Sequence, residues 1–194
     1  ANRYFAKPDP DRTGLLIFGQ DAMRVALKRQ EVIANLIGPE GEGEMRLTRL
    51  PAADLRKDGA ALNDALKAVG FFPGPRVVFV EDATDGLAKP IEAALKDWRA
   101  GDAQLVVTAG SLTAKSALRK LFEAHANAYA IGIYDDPPTR EEIEAELKRA
   151  GLSAISPQAM TDLLALGRAL DPGDFRQTAE KIALYKYQDP MPLE

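Results

Sequence analysis

Side chains able to do chemistry are few in this sequence and widely separated. It has one histidine, His125, and no cysteine among 194 residues. That composition rules out thiol nucleophiles, disulfides and cysteine-based zinc sites, and offers little for a catalytic triad or a histidine-rich metal centre. His125 falls at the end of a helical stretch, where a protonated imidazole would complement the C-terminal dipole, so capping is the simpler reading. The acidic pairs Asp135-Asp136 and Glu141-Glu142 lie in a linker and in a first helical turn. Solubility and the helix dipole account for both, and no general acid/base pair stands out.

Nucleotide chemistry would be expected at the turn after the first strand, where GxxxxGK[ST] aims backbone amides and a lysine at phosphates. The sequence there is Gly19-Gln20-Asp21-Ala22-Met23-Arg24-Val25. The second glycine, the lysine and the hydroxyl are missing, and Asp21 would repel a phosphate. Val80-Glu81-Asp82 is an acidic strand end of the kind that holds magnesium in ATPases, but without the lysine loop it reads as a solvated end. Thr108-Ala109-Gly110-Ser111 puts polar groups where open α/β sheets bind ligands, and such residues are equally ordinary turn chemistry. Arg119-Lys120, with Lys115 one turn earlier, is the one compact basic cluster on a helix and reads as a solvated face.

Phe71-Phe72 differs from these. Two consecutive large aromatics both face inward only if the backbone turns between them, and here Pro73-Gly74-Pro75 follows. An exposed aromatic on a rigid connection is what a protein interface uses as an anchor. The pattern alone leaves interface and core both open.

The elements that carry these residues alternate. Apolar runs at Thr13–Phe18, Glu44–Leu50, Arg76–Glu81, Gln104–Ala109 and Ala128–Tyr134 read as strands: Thr13–Phe18 and Gln104–Ala109 as buried ones, and Glu44–Leu50 as one in which Met45, Leu47 and Arg49 alternate with Arg46, Thr48 and Leu50. Between them, helical spacing predicts Ala22–Leu36 and two short helices broken near Asp58-Gly59, the second carrying Leu62, Leu66 and Val69. It also predicts a helix bearing Ile91, Ala94, Leu95 and Trp98, and one from about Thr113, capped by Ser111 or Thr113, with Leu118, Leu121 and Phe122 inward. Strands separated by helices require a parallel sheet covered on both sides. After Asp135-Asp136-Pro137-Pro138 only helices follow: Thr139–Ala150 with a Thr139/Glu142 capping box, Ser156–Leu166 and Asp171–Tyr185. Ser156-Pro157 and Asp171-Pro172 each read as a cap followed by proline at the first helical position.

Composition sets the frame. With 46% hydrophobic and 28% charged residues the chain is globular, and its 25 basic against 29 acidic residues give a net charge of −4, which opposes general affinity for a phosphate backbone. No run approaches the roughly 20 apolar residues of a membrane span, and no secretory apolar core opens the sequence. A soluble protein of the cytoplasm is the expectation.

In order, TGLLIFGQD, GFFPGPRVVFVED, QLVVTAGSLTAKSALRKLFE, AIGIYDD and DFRQTAEKIALY resemble the delta-subunit family of the bacterial DNA polymerase III clamp loader, over about residues 12–186. The resemblance implies an α/β, P-loop NTPase-like (AAA+) domain over residues 1–136, with a parallel five-stranded sheet, helices on both faces and a decayed phosphate loop. A small three-helix lid domain over 137–194 would follow. The family's third domain, a helical collar, has no counterpart, so the expectation is a fragment that binds the clamp without assembling a stable loader.

The implied activity is mechanical: binding the β sliding clamp and holding one interface open for loading onto primed DNA, with ATP bound by other loader subunits. The chain would then have no catalytic, cofactor-binding or metal-binding residues of its own. It would be a non-catalytic part of a DNA-directed DNA polymerase (nucleotidyltransferase) holoenzyme. The family's clamp-binding pair, commonly Leu-Phe before the third strand, maps onto Phe71 and Phe72, with Phe71 replacing leucine and Pro73 and Pro75 stiffening the loop. Implied partners are the β sliding clamp, the delta-prime and gamma/tau subunits, and primed DNA through the assembled complex, with no membrane, at the nucleoid-associated replisome in the cytoplasm. Two rival readings are an active AAA+ or P-loop ATPase, and a flavodoxin-like small-molecule-binding domain with its ligand near Gly19 and Gly110.

Overall fold

The computed structural model describes residues 2–9, 11–134, 137–187 and 193, so the Asp135-Asp136 pair lies outside the described residues. The chain divides into two compact units, the first ending at Tyr134.

In the first unit, β1 (Gly14–Gly19), β2 (Leu47–Pro51), β3 (Val77–Glu81), β4 (Gln104–Ala109) and β5 (Ala128–Ile133) form one sheet. Its order is β2-β3-β4-β1-β5, and every pairing is parallel. All residues of β1 and β4 are buried, which is why they read as continuous apolar runs rather than alternating ones. Successive side chains still point to opposite faces. Leu15, Ile17, Val77, Phe79 and Val106 pack with Phe5 of α1 (Asn2–Ala6) and with Val25, Val32, Ile33 and Ile37 of α2 (Ala22–Ile37).

Leu16, Phe18, Val78, Val80, Leu105 and Val107 face the other way. They meet α3 (Ala52–Lys57), α4 (Ala60–Lys67), α5 (Ala88–Asp97) and α6 (Ala117–Ala124) through Leu55, Leu62, Leu66, Ile91, Leu95, Leu118 and Phe122. Each such side chain contributes about 1.5–3 kcal/mol by leaving water. Gly19 closes β1 against β5: a Cβ there would lie 2.4 Å from the Ile133 carbonyl oxygen.

Several boundaries differ from the sequence expectation, each for a local reason. β2 begins at Leu47 rather than Glu44, because a turn over 41–46, closed by Arg46 N–H to Gly41 O (2.8 Å), holds the chain back. Met45 lies in that turn at φ 54, exposed. Val69 does not continue the Leu62/Leu66 face, since α4 stops at Lys67 where Ala68 turns extended (ψ 134). Trp98 likewise sits beyond the last turn of α5, at an extended C-cap, and its indole N–H donates to Ala103 O (2.9 Å). α1 had no apolar periodicity long enough to announce it. It is held by burial of Phe5 and by Asn35 Nδ2 donating to Phe5 O (2.8 Å).

The cap of α6 is neither Ser111 nor Thr113 but Ser116, whose Oγ accepts from Arg119 N–H. Ser116 in turn donates to Asp85 Oδ1 (2.5 Å), which also accepts the Leu118 N–H (3.0 Å). Asp85 belongs to a 3-10 turn over Asp85–Leu87. A carboxylate 31 residues away thus completes this helix N-terminus, a pairing that no local signal announces.

The second unit contains α7 (Arg140–Arg149), α8 (Pro157–Ala169) and α9 (Pro172–Tyr185). Ile143, Leu147, Leu152, Leu163, Phe175 and Ala179 form its core. The Thr139/Glu142 capping box forms as the sequence indicates, with Glu141 and Glu142 in the first turn, and Pro157 and Pro172 open their helices. Glu146 of α7 takes both nitrogens of the Arg176 fork from α9, at 2.6 and 3.3 Å. Leu193 adds a bridge to Ile155, through Ser156 N–H to Leu193 O and Leu193 N–H to Ala154 O. Among the described residues no helix is long and apolar enough to cross a membrane.

The Ser116 hydroxyl and the Leu118 amide hold the Asp85 carboxyl below its usual range. A depressed folded pKa makes this contribution present above the unfolded value of about 4 and lost as pH falls through the folded one. Asp85→Asn should therefore lower the melting temperature at pH 7, with the gap to the parent closing below about pH 4. Melting curves across pH 3–7 check this, and a gap that does not change with pH would contradict it.

Candidate functional site

The aromatic pair sits in the connection from α4 to β3, which is fastened along its length. At the α4 end, Lys67 Nζ donates to Asp97 O (3.0 Å) and Asp102 Oδ2 (3.1 Å). At the β3 end, the Arg76 guanidinium donates to Gly101 O (2.9 Å), and its stem runs beside Gly70, where a Cβ would lie 3.2 Å from Arg76 Cδ. Between them, Gly74 adopts φ 126, a conformation that side-chain-bearing residues rarely reach. Its Cα faces the buried Arg46 guanidinium, which donates from Nη1 to Pro75 O (3.1 Å) and from Nε to Glu44 Oε2 (2.8 Å).

What this frame presents is apolar. Phe71 is 95% exposed, Val69 94% and Phe72 44%, with Met45 in the neighbouring turn at 68%. Neither phenylalanine enters the core, so the alternative left open by the pattern is decided against burial. Scattered exposed apolar residues are normal, but here a nearly bare phenylalanine shares one restrained segment with exposed Val69 and half-exposed Phe72.

The carboxyl ends of the strands look different. Asp21 caps α2: its Oδ1 accepts the Arg24 N–H (3.0 Å), and its Oδ2 pairs with Arg24 Nε (3.2 Å). The helix N-terminus that would cradle a phosphate already holds a carboxylate of its own. Thr108 is buried: its carbonyl accepts the Ala83 N–H (2.8 Å), and its hydroxyl faces the Asp82 N–H (3.4 Å). It ties β4 to the turn after β3, where Asp82 takes φ 55. Glu81 is exposed, with the Arg29 charge nearby, while the Arg29 guanidinium packs over Phe79 at 4.9 Å. Arg119 is not part of a free basic face. It lies over the Phe18 ring (5.1 Å) and pairs with Glu123 (2.7 Å), leaving Lys115 and Lys120 solvated.

His125 is the C-cap of α6, and its Nδ1 accepts the Asn127 N–H (3.2 Å). The ring borders a shallow trough of about 500 Å³ between α5 and α6, with Lys89, Glu92, Lys96 and Lys120. Among the described residues no three metal-ligating side chains converge.

No protein-family model matches this chain, and no curated protein does. Solved structures are similar to it in fold. The DNA clamp loader delta protein of Bacillus subtilis superposes with a TM-score of 0.58 at 14% identity, over 91% of this chain and 54% of that one. What the two share is the α/β architecture with an all-parallel five-stranded sheet. Domain III of the replication initiation protein DnaA of Thermotoga maritima gives 0.53 at 10% identity, over 100% of this chain and 84% of that one. A DNA polymerase III gamma subunit-related protein of Thermotoga maritima gives 0.50 at 15% identity, over 89% and 54%. The chain spans about half the length of that protein and of the Bacillus subtilis delta protein, and at these identities the likeness is one of architecture.

Asp21 is a structural cap, so Asp21→Ala should cost about 1 kcal/mol of stability. Urea unfolding measures it, and an unchanged midpoint would show that the cap contributes nothing.

Proposed function

We propose that this chain is the clamp-binding part of a delta subunit of a bacterial DNA polymerase III clamp loader. On this reading it binds the β sliding clamp and helps to open it for loading onto primed DNA. The observation that carries the proposal is the near-complete exposure of Phe71 on a loop restrained on both sides. The architecture shared with clamp-loader proteins and the order of motifs resembling the delta family support it.

Phe71 and Phe72 are the clamp-binding residues in this proposal. An aromatic ring buries about 150–250 Å² when it enters an apolar pocket, and centrally buried aromatics dominate interface energetics. Binding alone does not open a ring. Opening follows only to the extent that the subunit binds the open clamp surface better than the closed one.

In the same proposal the first unit is an AAA+ domain with a degenerate phosphate loop and the second its helical lid. The remaining partners are the delta-prime and gamma/tau subunits, with primed DNA reached through the assembled complex in the cytoplasm. The chain itself turns over no nucleotide, a reading supported by the Asp21 carboxylate at the α2 N-terminus and the absence of a phosphate-loop lysine between Gly19 and Val25. ATP hydrolysis, like nucleotidyl transfer, then belongs to other chains of the holoenzyme.

Calorimetric titration with the cognate β clamp tests the site. Phe71→Ala/Phe72→Ala should weaken binding by roughly 2–4 kcal/mol, about 30- to 700-fold, with the melting temperature little changed. Equal affinity of parent and variant would remove the assignment. Titration with Mg-ATP should give no saturable binding in the micromolar range, and micromolar affinity with turnover would instead establish the active ATPase.

A further inference from the structure

Burial does little to hold the Phe71-Phe72 loop in place, since Phe71 and Val69 face water and Phe72 is only about half covered. What holds its middle is Arg46, a buried arginine two residues beyond Glu44 in the turn preceding β2. Three independent features meet at this guanidinium. Nη1 donates to Pro75 O at 3.1 Å, and Nε donates to Glu44 Oε2 at 2.8 Å. Gly74 supplies the space, for a Cβ there would lie 3.0 Å from Nη1 and 3.2 Å from Cζ, and the glycine takes φ 126 to bring its backbone over the group.

The main chain of Arg46 is locked as well, by its N–H to Gly41 O (2.8 Å) and by its carbonyl accepting the Val77 N–H (2.9 Å). The side chain therefore reaches from a fixed point at the sheet edge to the Gly74-Pro75 backbone, at the β3 end of the loop. The strain at neighbouring Met45, φ 54 without a glycine, is part of the turn that aims it.

We infer that Arg46 is the positioning residue of the docking site: its guanidinium, clasped between Glu44 and the Gly74-Pro75 backbone, presets the loop that presents Phe71 and Phe72 to the partner. This rests on the proposed clamp-binding reading for the identity of the partner, but not for the clasp itself. A planar, permanently charged fork suits the role because it satisfies a carboxylate and a carbonyl at once from a buried position. Presetting matters because a loop ordered before docking does not lose its conformational freedom upon binding.

The test separates loop release from general destabilisation. Chymotrypsin cuts after phenylalanine unless proline follows, so Phe71-Phe72 is a cleavable bond and Phe72-Pro73 is not. Cleavage after the fully buried Phe79 serves as the internal reference for global opening. Site-resolved proteolysis, read by mass spectrometry on the intact chain without partner, should show cleavage after Phe71 rising about ten-fold relative to cleavage after Phe79 in Arg46→Met. Gly74→Ala, which crowds the guanidinium from the other side without changing charge, should act in the same direction.

Both variants should also weaken calorimetric binding to the clamp by about ten-fold, less than Phe71→Ala/Phe72→Ala does. If the two cleavage rates rise together, or neither changes, in both variants, Arg46 is an ordinary structural residue and the inference is overturned. If cleavage after Phe71 rises selectively while clamp binding is indifferent to Arg46→Met and to Phe71→Ala/Phe72→Ala alike, the clasp stands and the identity of the partner is what fails.

Discussion

Burial of β1 and β4 on both faces is the constraint from which the rest of the first unit follows. A parallel strand with no solvent face needs side chains that are apolar or, like Thr108, tied to a polar partner, and helices must cover both sides of the sheet. In this chain α1 and α2 cover one side and α3 to α6 the other. Polar and functional groups are thereby driven to the two ends of the strands, where the connections lie. Gly19 shows how little freedom remains inside: where β1 meets β5, even one added carbon would collide with a backbone carbonyl.

The two ends are used in opposite ways. At the carboxyl ends, where open α/β sheets ordinarily receive ligands, side chains satisfy one another: Asp21 with Arg24, Thr108 with the turn after β3, Arg119 with Glu123 and the Phe18 ring. At the amino ends, a loop bracketed by Lys67, Arg46 and Arg76 holds apolar side chains out into water. A net charge of −4 opposes general affinity for a phosphate backbone, and the side chains this loop exposes are apolar rather than basic.

Much of this was legible in the sequence because its signals are local. Continuous apolar runs specify strands buried on both faces, and Thr139/Glu142, Ser156-Pro157 and Asp171-Pro172 are complete start signals within a few residues. The Phe71-Phe72-Pro73-Gly74-Pro75 string marked a connection, although its exposure could not be decided without knowing what lay beneath. What stayed hidden depends on distant residues. Asp85 reaches across 31 residues to serve the α6 N-terminus, so the local hydroxyls Ser111 and Thr113 looked like better caps than Ser116. Arg46 read as the polar partner of an alternating strand. Only the fold places it beneath Gly74 and Pro75, 29 residues away from the latter. Val69 and Trp98 fit the spacing of helices that end one or two residues before them, and helix ends are where periodicity carries least information.

The exposed phenylalanine imposes an argument of its own. Phe71 adds almost nothing to the folding of an isolated chain, because an apolar side chain that stays in water contributes no transfer free energy. A loop serving only to connect α4 to β3 would not need it. The Pro-Gly-Pro string and the buried arginine likewise add rigidity where a connector needs none. Exposure and restraint together make sense for a surface that completes its burial on another molecule. On the proposed function, restraint has a second consequence. A floppy anchor would bind the open and closed ring alike and shift nothing, whereas an anchor fixed to the sheet can favour one ring geometry over the other. The difference between a tether and a lever then lies in the backbone between Gly70 and Arg76, and in the guanidinium that holds it.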